Sequence, residues 1–185
     1  MEEWIASETI HTGPVFSVES GKARLDDGSV AVREVVRHRG GAAVVPVMDG
    51  RVFLVRQYRI AVEGEVVELA AGIIDPGEDA ETAARRELKE ELGFEAERLV
   101  PVSRYYSSVG YLDESVRIFL AFGLKRVDRS PEPEERIEVV SELLADLPRK
   151  LAERHFDDAK TIIGLYDLLA YLAGQGEGLM MNDER

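Results

Sequence analysis

The stretch GIIDPGEDAETAARRELKEELGF, from Gly72 to Phe94, joins a glycine-containing loop to a segment with the periodicity of a helix. At about 100° per residue, Glu87, Glu90 and Glu91 fall on one face of that helix. Arg86 precedes Glu90 by one turn. An apolar stripe on the adjacent face would anchor the helix to a core, which leaves the carboxylates at the edge of that core.

These carboxylates predict a divalent-metal site. Oxygen ligands at this density are typical of Mg²⁺ or Mn²⁺, which often bind carboxylates and substrate phosphates together. The alternative is a solvated helix held by pairs of glutamate with lysine or arginine. Adjacent glutamates repel each other, however, and Gly72 and Glu78 ahead of the helix have no role in a solvated face. The complete pattern therefore favours metal binding.

Composition restricts the remaining function classes. The chain has 185 residues, 45% of them hydrophobic, which suits one domain with a packed core. Its 23 basic and 36 acidic residues give a net charge of −13 without a basic stripe, which argues against polymeric nucleic acid as a ligand. It contains no cysteine, so disulfides, zinc–thiolate sites and a thiol nucleophile are excluded. With no signal-peptide core or long apolar run, we expect a cytoplasmic protein that does not bind membranes.

The order of predicted elements indicates an α+β fold. Alternating residues 4–38 around the turn pair Asp27-Gly28 predict a small antiparallel sheet, and Asp49-Gly50 predicts a hairpin of strands 42–48 and 52–58. A helix over 80–92 has Asp79 as its N-cap and Gly93 at its end. Further strands are predicted at 66–70, 99–106, 115–124 and 137–140, and further helices at 142–153 and 158–172. We expect N-terminal strands at 1–38, a catalytic domain at 39–173 and a disordered tail at 174–185.

Every fixed position of the Nudix hydrolase signature is filled between Gly72 and Phe94, and the chain resembles that family. The resemblance extends over residues 33–172 and matches the ADP-ribose pyrophosphatase-like branch. It rests on the pieces REVVRH, GGAAVVPV, LVRQYR, ELAAG and EERIEVV. It implies an α/β/α sandwich of mixed sheets. It also implies a homodimer in which arginines on the N-terminal strands complete the partner's site.

The resemblance implies roles for the signature residues. Glu90 is expected to serve either as a metal ligand or as an acid that orients the other groups of the site. Arg86 is expected to support catalysis by holding Glu90 in place, and Glu78 has a similar supporting role. The implied ligands of Mg²⁺ or Mn²⁺ are four carboxylates and one main-chain carbonyl: Glu87, Glu91, Glu90, Glu135 and Ala71.

The general base is expected in the acidic loop before a late strand. Pro133 stands where the family has its usual catalytic glutamate, so either Glu134 or Glu132 must substitute or the loop must shift. Glu134 is favoured because it adjoins Glu135, and because Pro133 restricts the backbone of Glu132. If neither acts, Glu90 is the next candidate. A solvated acidic loop is the alternative interpretation.

Several residues outside the signature are expected to bind substrate. Arg59 ends a strand, where a guanidinium would bind a phosphate through two hydrogen bonds. The alternative is a surface arginine at a strand end, and the resemblance favours phosphate binding. Arg33 matches the arginine that the branch contributes across its dimer, with Arg37 and Arg39 as alternatives. Trp4 would either stack on a purine base or pack at the dimer seam. The resemblance assigns four further substrate contacts: Ile73, Ser108, Val109 and Gly110.

The sequence therefore predicts a Mg²⁺-dependent hydrolase that cleaves the pyrophosphate of ADP-ribose to AMP and ribose 5-phosphate, or that of a related nucleoside diphosphate sugar. Val109 stands where the branch has a proline, which leaves GDP-sugars and other nucleoside diphosphates open as substrates. A non-catalytic ligand sensor of the same family is the alternative from another class. Such sensors usually lose signature acids, whereas this chain keeps all of them.

Overall fold

The strands and helices are known for residues 1–131 and 136–180, which the computed structural model describes. The N-terminal strands are β1 (Glu3–Thr12), β2 (Phe16–Arg24) and β3 (Val30–His38). The central elements are β4 (Gly41–Met48), β5 (Arg51–Arg59), β6 (Gly64–Glu68), β7 (Ala70–Ile73) and α1 (Ala80–Leu92). The remaining elements are β8 (Phe94–Tyr106), β9 (Ser115–Arg126), β10 (Glu138–Leu143), α2 (Leu147–Ala152) and α3 (Ala159–Met180).

Strands β1, β2 and β3 form the predicted antiparallel sheet, in that spatial order. Its second turn contains Gly28 at a φ of 83°, and the N–H and hydroxyl of Ser29 donate to the side chain of Asp27. Such a turn favours aspartate and glycine. Every residue of β1 is exposed. Neither face of this strand is therefore covered within one chain.

The main sheet is mixed and has a helical layer on each face. Its strand order is β10-β5-β4-β9-β8, with β4 and β9 parallel, while β6 adds to β5 and β7 to β4. Ala42 and Val44 of β4 face the helix α1, whereas Ala43 and Val45 face α2 and α3, as the two-residue period of a strand requires. Burying Leu88 of α1 completely contributes about 1.5–3 kcal/mol. The predicted α/β/α sandwich is confirmed.

The predicted strand 66–70 is wrong in its bounds, because the chain forms two strands that meet at a corner. Glu68 ends β6, which pairs with β5, and Ala70 begins β7, which pairs with β4. Between them the N–H of Leu69 donates to the hydroxyl of Thr161 at 2.8 Å rather than to a neighbouring strand. The corner directs β7 towards α1.

Other element boundaries also differ from the predictions. Strand β8 begins directly after α1 because Phe94 already pairs with Arg126. Residues 142 and 143 extend β10, and α2 starts only at Leu147, since Pro148 lacks an N–H and fits the first turn of a helix. Helix α3 continues past the predicted end at residue 172 to Met180. Residues 181–185 of the predicted tail lie outside the described residues. No helix in the described part of the chain is long and apolar enough to cross a membrane.

Candidate active site

Helix α1 holds the glutamates firmly because both of its ends are fixed, as predicted. Asp79 caps the N-terminus by accepting a hydrogen bond from the N–H of Thr82 at 2.8 Å. Gly93 ends the helix with a φ of 68°, which glycine adopts without strain. The apolar stripe packs into the core through Ala84, Leu88 and Leu92. The glutamate face is thereby brought against β7.

Arg86 is the centre of an ion-pair network on that face. Its guanidinium donates to Glu78 at 3.1 Å, to Glu87 at 2.5 Å and to Glu90 at 3.2 Å. It also donates to the main-chain carbonyl of Ile73 at 3.0 Å. The hydrogen bond to Glu78 is the main cause that raises the pKa of Arg86, and the same bond lowers the pKa of Glu78. One cation thus aligns three carboxylates with β7, a wider role than the predicted contact with Glu90.

Two of the predicted metal ligands are buried against β7. Glu87 is 7% exposed and Glu91 is 3% exposed. The carboxylate of Glu91 accepts a hydrogen bond from the N–H of Ala71 at 3.2 Å. A side chain at Gly72 would overlap with the carboxylate of Glu87. The glycine is therefore required for the close approach of helix and strand.

The donors in this region fit a hard divalent cation, because they are carboxylate and carbonyl oxygens. Within the described residues no three acidic or histidine side chains form a ready-made metal cluster. Glu87 and Glu90 contact Arg86, while Glu91 accepts a hydrogen bond from the N–H of Ala71. A cation here would need main-chain, water or phosphate oxygens as well, which is the usual mode of Mg²⁺.

A cavity of about 330 Å³ opens beside the glutamates and β7. Arg39 lies in its wall and contacts Asp75 at 3.1 Å. A larger hollow of about 500 Å³ opens by the N-terminus of α1 and contains none of the predicted metal ligands. The smaller cavity brings cations and acids together in its lining: Arg39, Arg59, Arg86, Asp75, Glu87 and Glu90. Such a lining suits an anionic ligand that arrives with a cation.

The substrate residues predicted outside the signature divide into two groups. Arg59, Ile73 and the alternative Arg39 lie in the cavity wall. Arg33 and Trp4 lie on the N-terminal sheet, and Arg33 pairs with Glu2 at 2.8 Å. The other predicted contacts lie in one loop: Ser108, Val109 and Gly110. This loop is held against β3 and does not line the cavity. Within one chain, therefore, these two segments do not form part of the carboxylate site.

The acidic loop that was predicted to supply the base falls between Pro131 and Arg136. Glu132, Glu134 and Glu135 lie outside the described residues. Their roles stay predictions.

One buried acid at the cavity wall, and the second partner of that acid, were not predicted from the sequence. Glu68 is 2% exposed, and its carboxylate accepts hydrogen bonds from Arg59 at 2.7 Å and from Lys160 at 2.5 Å. A glutamate that closes an apolar strand in ELAAG was a usable signal, because buried acids are almost always paired. Nothing local identified Lys160, which is 92 residues further along the chain.

Comparison with known proteins places this site in context. The NUDIX domain profile matches residues 37–162. An ADP-ribose pyrophosphatase of Bacillus subtilis is 37% identical over 86% of this chain and 88% of the relative. A methanol dehydrogenase activator of Bacillus methanolicus is 30% identical over 89% of this chain and 90% of the relative. A solved structure of an ADP compounds hydrolase superposes with a TM-score of 0.85 at 28% identity, over 95% of this chain and 96% of that one.

Proposed function

This chain belongs to the Nudix family, and from that premise we propose that it hydrolyses the pyrophosphate bond of ADP-ribose to give AMP and ribose 5-phosphate. Relatives named as acting on ADP-ribose and ADP compounds support the substrate class. Other nucleoside diphosphate sugars are the alternative substrates. The intact set of signature glutamates argues for catalysis over ligand sensing.

The observation that carries this proposal is the alignment of glutamates by Arg86 beside a cavity that contains two further arginines. A pyrophosphate is anionic and would be repelled by these carboxylates alone. Cations placed between the acids and the phosphates remove that repulsion. Arg39 and Arg59 are positioned to bind the phosphates from the cavity wall.

The residues that would hold a Mg²⁺ or Mn²⁺ ion are Glu87, Glu91 and the main-chain carbonyl of Ala71, with Glu90 and Glu135 as further candidates. When bound, such an ion neutralises phosphate charge and acidifies water. The protein's own part is positioning. Arg86 fixes the direction of Glu87 and Glu90, and outer partners of this kind typically change affinity or rate 10- to 100-fold.

The reaction needs a base that takes a proton from the attacking water. Water attacks one phosphorus, the bond from that phosphorus to the bridging oxygen breaks, and the second phosphate leaves with the bridging oxygen. We assign the base to Glu134, or to Glu132 in the same loop, with Glu90 on α1 as the third choice. Single-turnover rates of Glu134→Gln and Glu132→Gln variants distinguish the two loop residues.

The test of the proposed function is product formation from ADP-ribose and a panel of nucleoside diphosphate sugars at saturating Mg²⁺. We expect Glu87→Gln and Glu91→Gln to lose nearly all activity with the fold intact. Glu81→Gln is the matched control, since Glu81 is an exposed glutamate of the same helix that pairs with Arg85 at 2.8 Å. Unchanged rates in either test variant would refute the ligand assignment. A wild-type protein that hydrolyses nothing in the panel would refute the activity.

We propose in addition a homodimer formed through the N-terminal sheet. Strand β1 is exposed along its whole length. Monomeric proteins rarely leave such apolar surface uncovered, and this sheet exposes six large side chains: Trp4, Ile5, Ile10, Phe16, Val30 and Val32. Arg33 lies on the same sheet, which is consistent with a role in the partner's site rather than in its own.

A further inference from the structure

A buried ion pair connects the cavity wall to the first turn of α3. Glu68 is the last residue of β6, and its two oxygens accept hydrogen bonds from different cations. Arg59 Nε donates to Oε1 at 2.7 Å, and Lys160 Nζ donates to Oε2 at 2.5 Å. Arg59 lies in the cavity wall, whereas Lys160 comes from the first turn of α3. The carboxylate of Glu68 is thus shared between Arg59, which lines the cavity, and Lys160, which lies on α3.

Lys160 is held in place by the cap of its own helix. Asp158 Oδ1 contacts Lys160 Nζ at 3.0 Å, while Asp158 Oδ2 accepts hydrogen bonds from the N–H and the hydroxyl of Thr161 at 3.0 and 2.5 Å. The hydroxyl oxygen of Thr161 also accepts the N–H of Leu69, the residue after Glu68. The first turn of α3 and the corner between β6 and β7 therefore form one hydrogen-bonded unit.

Because Glu68 is shared with Lys160, it binds only the Nε of Arg59 and leaves the two terminal nitrogens without a hydrogen bond among the described residues. Burial raises the pKa of Glu68, but the hydrogen bond from Arg59 and the charge of Lys160 outweigh burial, so the net pKa is lowered and the carboxylate stays charged. Across the described residues, Nη1 and Nη2 of Arg59 make no hydrogen bond to protein, and the side chain is 44% exposed. As far as the described residues go, two of its three nitrogens are therefore open to a ligand in the cavity.

We propose that Lys160 is a positioning residue, which neutralises Glu68 from behind and so keeps the terminal nitrogens of Arg59 available to the phosphates of the substrate. Without Lys160, Arg59 alone would balance the buried carboxylate. A guanidinium does this best through two parallel N–H bonds, which would turn a terminal nitrogen away from the cavity. The inference rests on the proposed function, because it concerns how the same site binds phosphate.

The first test compares steady-state kinetics with ADP-ribose and Mg²⁺. Lys160→Met removes the charge and keeps the aliphatic stem, and we expect KM to rise about tenfold with kcat within about threefold, because the lost interaction acts on binding. Lys160→Arg should restore most of the affinity. Lys150→Met is the matched control, since Lys150 donates to Glu142 at 2.5 Å and is 18% exposed against 17% for Lys160. A wild-type KM in Lys160→Met overturns the inference.

The second test is a double-mutant cycle with Arg59→Ala. If Lys160 acts through Arg59, Lys160→Met should change kcat/KM less than about twofold in the Arg59→Ala background. The same loss in both backgrounds would mean that Lys160 only supports the structure, and would overturn the proposal. Lys160→Gln replaces the methionine variant if circular dichroism shows that the latter is unfolded.

Binding measurements separate this inference from the proposed function. The analogue of ADP-ribose with a methylene group in place of the bridging oxygen cannot be hydrolysed there, so calorimetry reports its Kd without turnover. We expect Kd to rise about tenfold in Lys160→Met and to be unchanged in Lys150→Met. An equal Kd in wild type and Lys160→Met overturns the inference whether or not the protein hydrolyses ADP-ribose.

Discussion

Replacing Gly72 with alanine tests whether the close approach of β7 and α1 holds Glu87, the proposed metal ligand, in place. An added Cβ would overlap with the Glu87 carboxylate, and the backbone of β7 is paired with β4. The carboxylate must therefore move while the strand stays. Its hydrogen bond from Arg86, at 2.5 Å, would be weakened or lost.

The magnitude follows from that displacement. Restoring ordinary contact moves the carboxylate by more than about 1 Å, and a misplacement of this size costs about 10²-fold in rate. This corresponds to about 2.7 kcal/mol of activation free energy. Losing a hydrogen bond between charged groups costs about 1.5–3 kcal/mol of stability, and alanine recovers about 0.4–1 kcal/mol by restricting the unfolded chain. The net destabilisation of about 0.5–2.6 kcal/mol lowers Tm by about 1–10 °C.

The assay measures release of AMP from ADP-ribose over a Mg²⁺ titration, with thermal melts run in parallel. Gly64→Ala is the matched control, because Gly64 also lies in a strand and its added Cβ would meet only Val62 O at 3.6 Å. We expect Gly72→Ala to lose about 10²-fold in kcat/KM and to need more Mg²⁺ for half-maximal rate. If both alanine variants showed the same kcat/KM and the same Mg²⁺ requirement, the position of Glu87 against β7 would not matter for catalysis.

Two further predictions concern stability and assembly. Because the pKa of Glu68 in the folded protein is lowered from 4.5, its stabilising contribution is present above pH 4.5 and is lost as the pH falls through the lowered value. Urea unfolding at a series of pH values should therefore show a difference between wild type and Glu68→Gln that shrinks below pH 4.5, and a constant difference would contradict this. In light scattering at micromolar concentration we expect a dimer for wild type and a monomer for Val32→Glu, because Val32 is 66% exposed on the N-terminal sheet. A monomeric wild type would argue against the dimer.

The elements whose signals are local were predicted closely. The bounds of α1 are those predicted, because Asp79 and Gly93 fix the ends through contacts within a few residues. The hairpin between β4 and β5 follows in the same way from Asp49 and Gly50. The corner at Leu69 was not predicted, because it depends on a hydrogen bond to Thr161 on α3. A pattern of apolar residues does not distinguish one strand from two that pair with different neighbours.

The candidate site shows the same division. The spacing of Glu87, Glu90 and Glu91 predicted their shared face, with Arg86 one turn before Glu90, since helical geometry alone sets these positions. Their burial against β7 and the exclusion of a side chain at Gly72 appear only in the folded structure. The hydrogen bonds of Arg86 join α1 to the main-chain carbonyl of Ile73 on β7. The network therefore forms only when the helix packs on that strand.

The sequence by itself determined the family, through the resemblance of residues 72–94 to its signature. It also determined which helix face carries the acids, because periodicity and capping act over a few neighbouring residues. Only the tertiary structure decided which arginines face the cavity. Arg39 and Arg59 line it, whereas Arg33 lies on a separate sheet. It also decided that Lys160 shares Glu68 with Arg59. The physical reason is that such contacts join segments far apart in the chain, so they depend on strand order and on the packing of α3 rather than on local residue patterns.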